Sequence, residues 1–176
     1  MLQPTDIDAP EEAVLAPAGG FPNSDLPALI YRGLPLEDDP AQGFEELFFR
    51  NGWTNSWRAG IYDYHHFHST AHEVLGIATG EVRLRLGGDE GRTFHLRAGD
   101  VIVIPAGLAH RCEGATDLLV VGAYAEGRDW DTRKGDPAEL VAARANLAML
   151  PLPQTDPVAG AGGPLTRIWP EAEASG

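Results

Sequence analysis

The chain has 176 residues, enough for one domain with a real core, at 43% hydrophobic and 22% charged residues. Its 26 acidic against 13 basic residues give a formal net charge of -13, which argues against nucleic acid or an anionic membrane as partner, since both need a basic footprint. Gly (21) and Pro (14) are in excess, which favours a turn-rich β protein over a helix bundle.

Residues 1–27, rich in Pro, Asp and Ala, read as an extended arm with a disordered tip. Met1 to Pro10 lacks the basic and apolar regions of a signal peptide. No run approaches the ~18 apolar residues that span a bilayer. The single cysteine, Cys112, excludes an intrachain disulfide. A cytoplasmic location is the expectation. A cupped start at Asp39-Pro40, apolar residues at Phe44, Leu47 and Phe48, and a stop at Asn51-Gly52 predict a short helix over about 40–51.

From Trp53 to Tyr124 the period changes to two. Ile61–His68 is one candidate strand. Glu81–Leu86 alternates cleanly, and Gly87-Gly88-Asp89-Glu90-Gly91 turns it into Thr93–Leu96. Val101–Ile104 is too short for a helix, and Leu118–Tyr124 reads as another strand. Short strands at this spacing indicate an antiparallel sandwich or barrel, an all-β core over 53–124 within one domain at 28–150. Asp136-Pro137-Ala138-Glu139 starts a second helix with an apolar stripe at Leu140, Ala143, Leu147 and Leu150. The tail 151–176 reads as an extended segment docked on the barrel through Leu165, Ile168 and Trp169.

Four of the six histidines, His65, His66, His68 and His72, fall within eight residues. Strand alternation points His66 and His68 the same way. Neutral imidazole and carboxylate are both metal donors near neutral pH, and Glu73 and His110 follow.

Gly60, His66, His68, Glu73 and Gly80 match G-x5-H-x-H-x4-E-x6-G, and Gly99, Pro105, Gly107 and His110 match G-x5-P-x-G-x2-H. In these two motifs the sequence resembles the cupin superfamily. Gly114 stands where the second motif usually ends in Asn. The flanks, Tyr62 to Gly76, Trp130 to Asp136 and Asp156 to Trp169, are similar to the uncharacterised bacterial single-domain cupins of the YjlB type. The resemblance implies a jelly-roll barrel, the double-stranded β-helix. It also implies one divalent transition metal ion (Fe, Mn, Ni, Co or Zn) on His66, His68, Glu73 and His110, and a homodimer in which the N-terminal arm is a candidate exchange element.

Several residues keep two readings. His72 is a ligand in place of Glu73 or a residue near the pocket; the spacing to Gly80 favours Glu73 as ligand. Tyr62 and Tyr64 share parity with His66, so they line the interior and serve with His72 as candidate catalytic groups, or they are ordinary core. Cys112 borders the pocket or packs as a small hydrophobe. His65, His95, Arg83 and Arg85 read as surface residues. Trp53 and Trp57 pack at the barrel mouth or on the first helix. The functional expectation is a metalloenzyme of oxygenase, isomerase or lyase type acting on a small organic molecule. The alternative is a non-catalytic module that binds a small molecule or metal.

Overall fold

Alternate residues of the strands at the centre of this protein enter two different cores. In the computed structural model, which describes residues 7–176, seven strands, three α-helices and a short 3-10 turn follow one another. In chain order they are β1 (Glu11–Leu15), β2 (Ser24–Tyr31), α1 (Pro40–Arg50), β3 (Trp53–Ala59), β4 (Glu73–Leu86), β5 (Arg92–Arg97), β6 (Val101–Ile104), β7 (His110–Ala125), the turn Pro137–Glu139, α2 (Leu140–Met149) and α3 (Leu165–Ala174). Every strand pairing is antiparallel. The order is β1-β2-β6-β4-β7-β3, with β5 also on β4. The protein is therefore mainly antiparallel β with three helices, and a strictly all-β class is too narrow. Among the described residues no helix is long and apolar enough to cross a membrane.

Ile30, Leu75, Ile77, Ile102, Ile104 and Val120 fill the inner core, with Val82, Leu84, Leu86 and Leu96. Their neighbours Leu29, Tyr31, Val74, Val101, Val103 and Val121 face outward into a second core. Phe44 and Phe48 of α1, and Leu165 and Trp169 of α3, cover that face. This explains the continuous apolar run Val101–Ile104: both faces of β6 are buried. Alternation alone would put Ile77 and Val82 on opposite faces. Register shifts between Ile77 and Glu81 restore both to the inner core. Gly80 lies in this irregular stretch at φ 75°, where a Cβ would meet the Thr116 carbonyl oxygen at 2.2 Å.

The predicted first helix is α1, and the Asp39 side chain accepts from the Gln42 N–H as its N-cap. The second helix forms after a 3-10 turn capped by Asp136, but of its expected stripe only Ala143 is fully buried. The N-terminal segment is not simply an extended arm. β1 and β2 are strands of the sheet, β1 pairs with β2 of its own chain, and a boundary at 27/28 falls inside β2. Asn23 anchors this segment: its amide donates to Ala16 O (2.7 Å) and Gly87 O (3.2 Å) and accepts from the Ala109 N–H (3.1 Å). The tip of the arm, expected to be disordered, lies outside the described residues, which begin at Ile7.

The tail is not extended either. Leu165, Ile168 and Trp169 sit at i, i+3, i+4 on α3, and Trp169 is fully buried against β2 and donates its indole N–H to Pro27 O (2.9 Å). Buried Asp156 organises the turn before it. One oxygen accepts from the Val158 and Ala159 N–H groups, and the other from the Leu165 N–H and the Tyr31 hydroxyl.

His72 stands just before β4, on the outward parity of Val74, and so belongs to this outer layer. Its Nδ1 accepts from the Ala106 N–H (2.9 Å), and its ring lies 4.8 Å from Trp169. Burial, aided by the charge of Arg128, lowers its pKa to about 3. The unfolded chain, with a pKa near 6.5, binds the proton that the folded chain refuses. The stabilisation is therefore complete above about pH 6.5 and is lost as pH falls toward 3. In urea titrations of metal-free protein, going from pH 7 to pH 5 should cost the wild type about 2 kcal/mol more than His72→Asn. Equal losses in the two proteins would contradict this account.

Candidate metal centre

The loop between β3 and β4 was expected to be a strand over Ile61–His68. It makes only isolated bridges, His66 to His110 and Phe67 to Arg133. Those bridges are enough to hold two histidines. The His66 and His110 backbones exchange N–H to carbonyl bonds (3.1 and 2.9 Å), so the two rings lie 4.2 Å apart. Phe67 turns the opposite way and is buried beside Phe21. His68 follows on the His66 side, its ring 5.6 Å from that of His66 and 5.7 Å from that of His110.

A carbonyl oxygen only accepts, which settles the tautomers. Nδ1–H of His66 donates to Tyr64 O (3.0 Å), that of His68 to Asp131 O (2.5 Å) and that of His110 to Leu108 O (3.0 Å). Each Nε2 is left as the inward donor. One donor atom from each ring lies within 4.8 Å of the others. With bonds of about 2.0–2.1 Å, two nitrogens across an ion stand about 4 Å apart. The three buried imidazoles therefore fit a metal ion with little movement.

Glu73, the first residue of β4, faces inward with Leu75. Its Oε2 lies 3.3 Å from His68 Nε2 and its Oε1 3.2 Å from His110 Nε2. Burial alone would raise its pKa, but His68 and His110 outweigh burial and hold the carboxyl well below the usual range. His68 moves the other way: burial opposes its proton, yet Glu73 keeps its pKa raised. Burial and then the charge of His110 push His66 down to about 3. The pocket thus carries a buried carboxylate that attracts a cation and favours protonation of His68 beside it.

Two further residues complete the site. The Tyr124 hydroxyl donates to Glu73 Oε2 (2.7 Å) and accepts from the Trp57 indole N–H (3.0 Å). Trp57 reaches the interior although it lies four residues from Trp53, which is buried in the outer core. A register shift between Thr54 and Trp57, with Asn55 at φ 60°, inserts one residue and flips the parity. Trp57 then lies across its partner Gly122, where a Cβ would meet the indole at 2.2 Å. Tyr124 was not singled out in the sequence, though its parity with Val120 was a usable signal.

Over 153 residues the chain is 36% identical to the "Uncharacterized protein YjlB" of Bacillus subtilis (strain 168), covering 86% of this chain and 91% of that protein. Residues 59–121 match the Cupin domain family. The chain belongs to the cupins. This cupin is also similar to two solved structures. One is acireductone dioxygenase from Bacillus anthracis, with 17% identity over 58% of this chain and 80% of that one, at TM-score 0.40. The other is an oxalate decarboxylase of Bacillus subtilis, with 18% identity over 73% of this chain and 36% of that one, at TM-score 0.39. The cupin spans little more than a third of the latter's length.

The remaining candidates of the cupin divide by parity. Tyr62 reaches the cavity but is 57% exposed at its mouth, edge-on to His66. It is not an interior residue, because the loop there is not a strand. Tyr64 stacks behind Tyr62 at 4.9 Å, away from the cavity wall. His72 is not among the three clustered histidines, and it does not line the cavity. It faces the α3 layer, and its Nδ1 is an acceptor, the reverse tautomer of the three clustered histidines. Cys112, half-buried, packs against the inner core rather than bordering the cavity. His95 and Arg83 are exposed, while Arg85 is half-buried and paired with Glu113. His65 is half-buried at the edge, with Nε2 2.8 Å from Asp89 Oδ1.

Proposed function

We propose that this cupin holds one divalent transition metal ion on His66, His68, His110 and Glu73, and that it is an enzyme acting on a small organic molecule. The observation that carries the reading is the arrangement of three buried imidazoles, each with Nδ1 spent on a backbone carbonyl, around a carboxylate that faces two of the free Nε2 atoms. Four donors of this kind leave coordination positions open to substrate or water. Such an ion supplies Lewis acidity, activation of water or, when it is iron, access to oxygen chemistry. The protein residues do the rest. Tyr124 fixes Glu73, Trp57 fixes Tyr124, and a cavity of about 240 Å³ opens onto the donor atoms. That volume lies below the ~300–1,000 Å³ of drug-sized sites, so the substrate is small.

Elemental analysis of protein purified without chelator tests the reading, with close to one transition metal ion per chain as the expected result. A chain that purifies metal-free and takes up no Zn(II), Co(II), Mn(II) or Fe(II) on titration would rule it out. Loading should also release protons. Glu73 raises the pKa of His68 in the free site, and His68 must give up its Nε2 to the ion, so calorimetry at pH 7 in buffers of differing ionisation enthalpy should report a net proton release. A buffer-independent enthalpy would contradict the His68 assignment.

A further inference from the structure

The walls of the cavity state what kind of molecule it takes. Apart from the four proposed ligands, they are aromatic or apolar, with Trp57, Tyr124, Trp130 and Tyr62 dominating. Among the described residues no lysine or arginine lines it. The nearby cations are engaged elsewhere: Lys134 Nζ lies 4.6 Å over the Tyr64 ring, and Arg128 stands 3.8 Å from Glu126. A substrate phosphate or second carboxylate would therefore enter without a counter-charge, which is costly in a desolvated site. The approach is acidic too. Tyr62 and Trp130 at the mouth are each followed or preceded by an exposed aspartate, Asp63 and Asp129, on a chain of net charge -13.

The mouth itself is built from flat faces. Trp130, 40% exposed, stacks on Tyr124 at 4.3 Å and 12°. Tyr62, on the His66 side, is held by its stack on Tyr64. The polar groups of Trp57 and Tyr124 are already spent on each other and on Glu73. The Tyr62 hydroxyl and the Trp130 indole N–H make no hydrogen bond among the described residues, and they are the free polar side-chain groups of the wall.

We infer that the substrate is a small, flat, uncharged molecule with an apolar or aromatic body, held between Tyr62 and Trp130 and presenting its oxygen atoms to the metal and the Tyr62 hydroxyl; phosphorylated and multiply anionic molecules are excluded. This rests on the metal reading above. Aromatic walls bind flat apolar bodies through buried area and offset stacking, and they give an added anionic group nothing to pair with.

The test loads the full chain with Co(II) and follows its visible absorption during titration with two probes that share the ortho-diol chelating group, each affinity being referenced to that probe's own affinity for aqueous Co(II) at the same pH. One is catechol, flat and uncharged. The other is its 3,5-disulfonate, which adds two anionic groups to the same ring. Catechol should shift the Co(II) bands and bind at least tenfold more tightly than the disulfonate, at any fixed ionic strength. Trp130→Ala should weaken catechol about tenfold while leaving Co(II) affinity unchanged. Equal affinity for the two probes, or a Trp130→Ala protein that binds catechol as well as wild type, overturns the substrate inference alone. Failure to take up Co(II), Zn(II), Mn(II) and Fe(II) alike overturns the metal reading and this inference with it.

Discussion

Replacing His110 with alanine should lower the metal affinity of the proposed site about 100-fold or more without unfolding the chain. A four-ligand site with an apparent binding energy of about 10–16 kcal/mol draws on the order of 3 kcal/mol from each ligand. His110 is buried, and its Nε2 faces Glu73 at 3.2 Å. The backbone bonds that tie it to His66 do not depend on its side chain. Tyr124→Phe is the graded comparison. It removes the hydroxyl that orients Glu73 and keeps every proposed ligand, so it should cost about 10-fold. Competition against a chromophoric chelator measures both losses, and thermal unfolding of the metal-free proteins checks the fold. A His110→Ala protein that keeps wild-type affinity would remove His110 from the ligand set.

The second large effect is structural. Trp169→Ala should destabilise the protein by about 3–5 kcal/mol. Trp169 is fully buried in the outer core, packs on His72 and bonds Pro27 O. Alanine leaves a cavity between α3 and β2 and an unpaired carbonyl. Urea unfolding at pH 7 reads the loss as a lower midpoint at unchanged slope. A loss under 1 kcal/mol would mean that α3 is not part of the cooperative core. The proposed metal site lies on the inner face, so metal affinity of the folded variant should change little beside the His110→Ala effect.

The legible parts of this protein were local. α1 could be read because its cap, its proline at the first position and its apolar spacing all lie within twelve residues. β5 and β6 could be read because their turns flank them closely. The two strands at 11–31 were missed because Pro and Asp mask their alternation, and they exist only by pairing with each other and with β6. The α3 pattern at 165, 168 and 169 was present, but Pro170 and the glycines before it pointed to an extended chain. Pro170 lies inside this helix of 10 residues, as its sixth residue, and removes one rung of a short ladder.

The sequence by itself determined the donor types and their spacing: two histidines two residues apart, a glutamate five further on and a histidine beyond a later turn. These are properties of neighbouring residues, and chemistry assigns them without a fold. Only the tertiary structure decided which face each residue serves. His72 and Glu73 are adjacent, yet one meets Trp169 outside and the other meets the histidines inside, because β4 begins at Glu73 and alternates from there. Trp53 and Trp57 part for a different reason: the irregular pairing near Asn55 turns the strand over. A side chain's face depends on where its strand starts and where it bulges. Both are set by the partner strand, which lies far away in the chain.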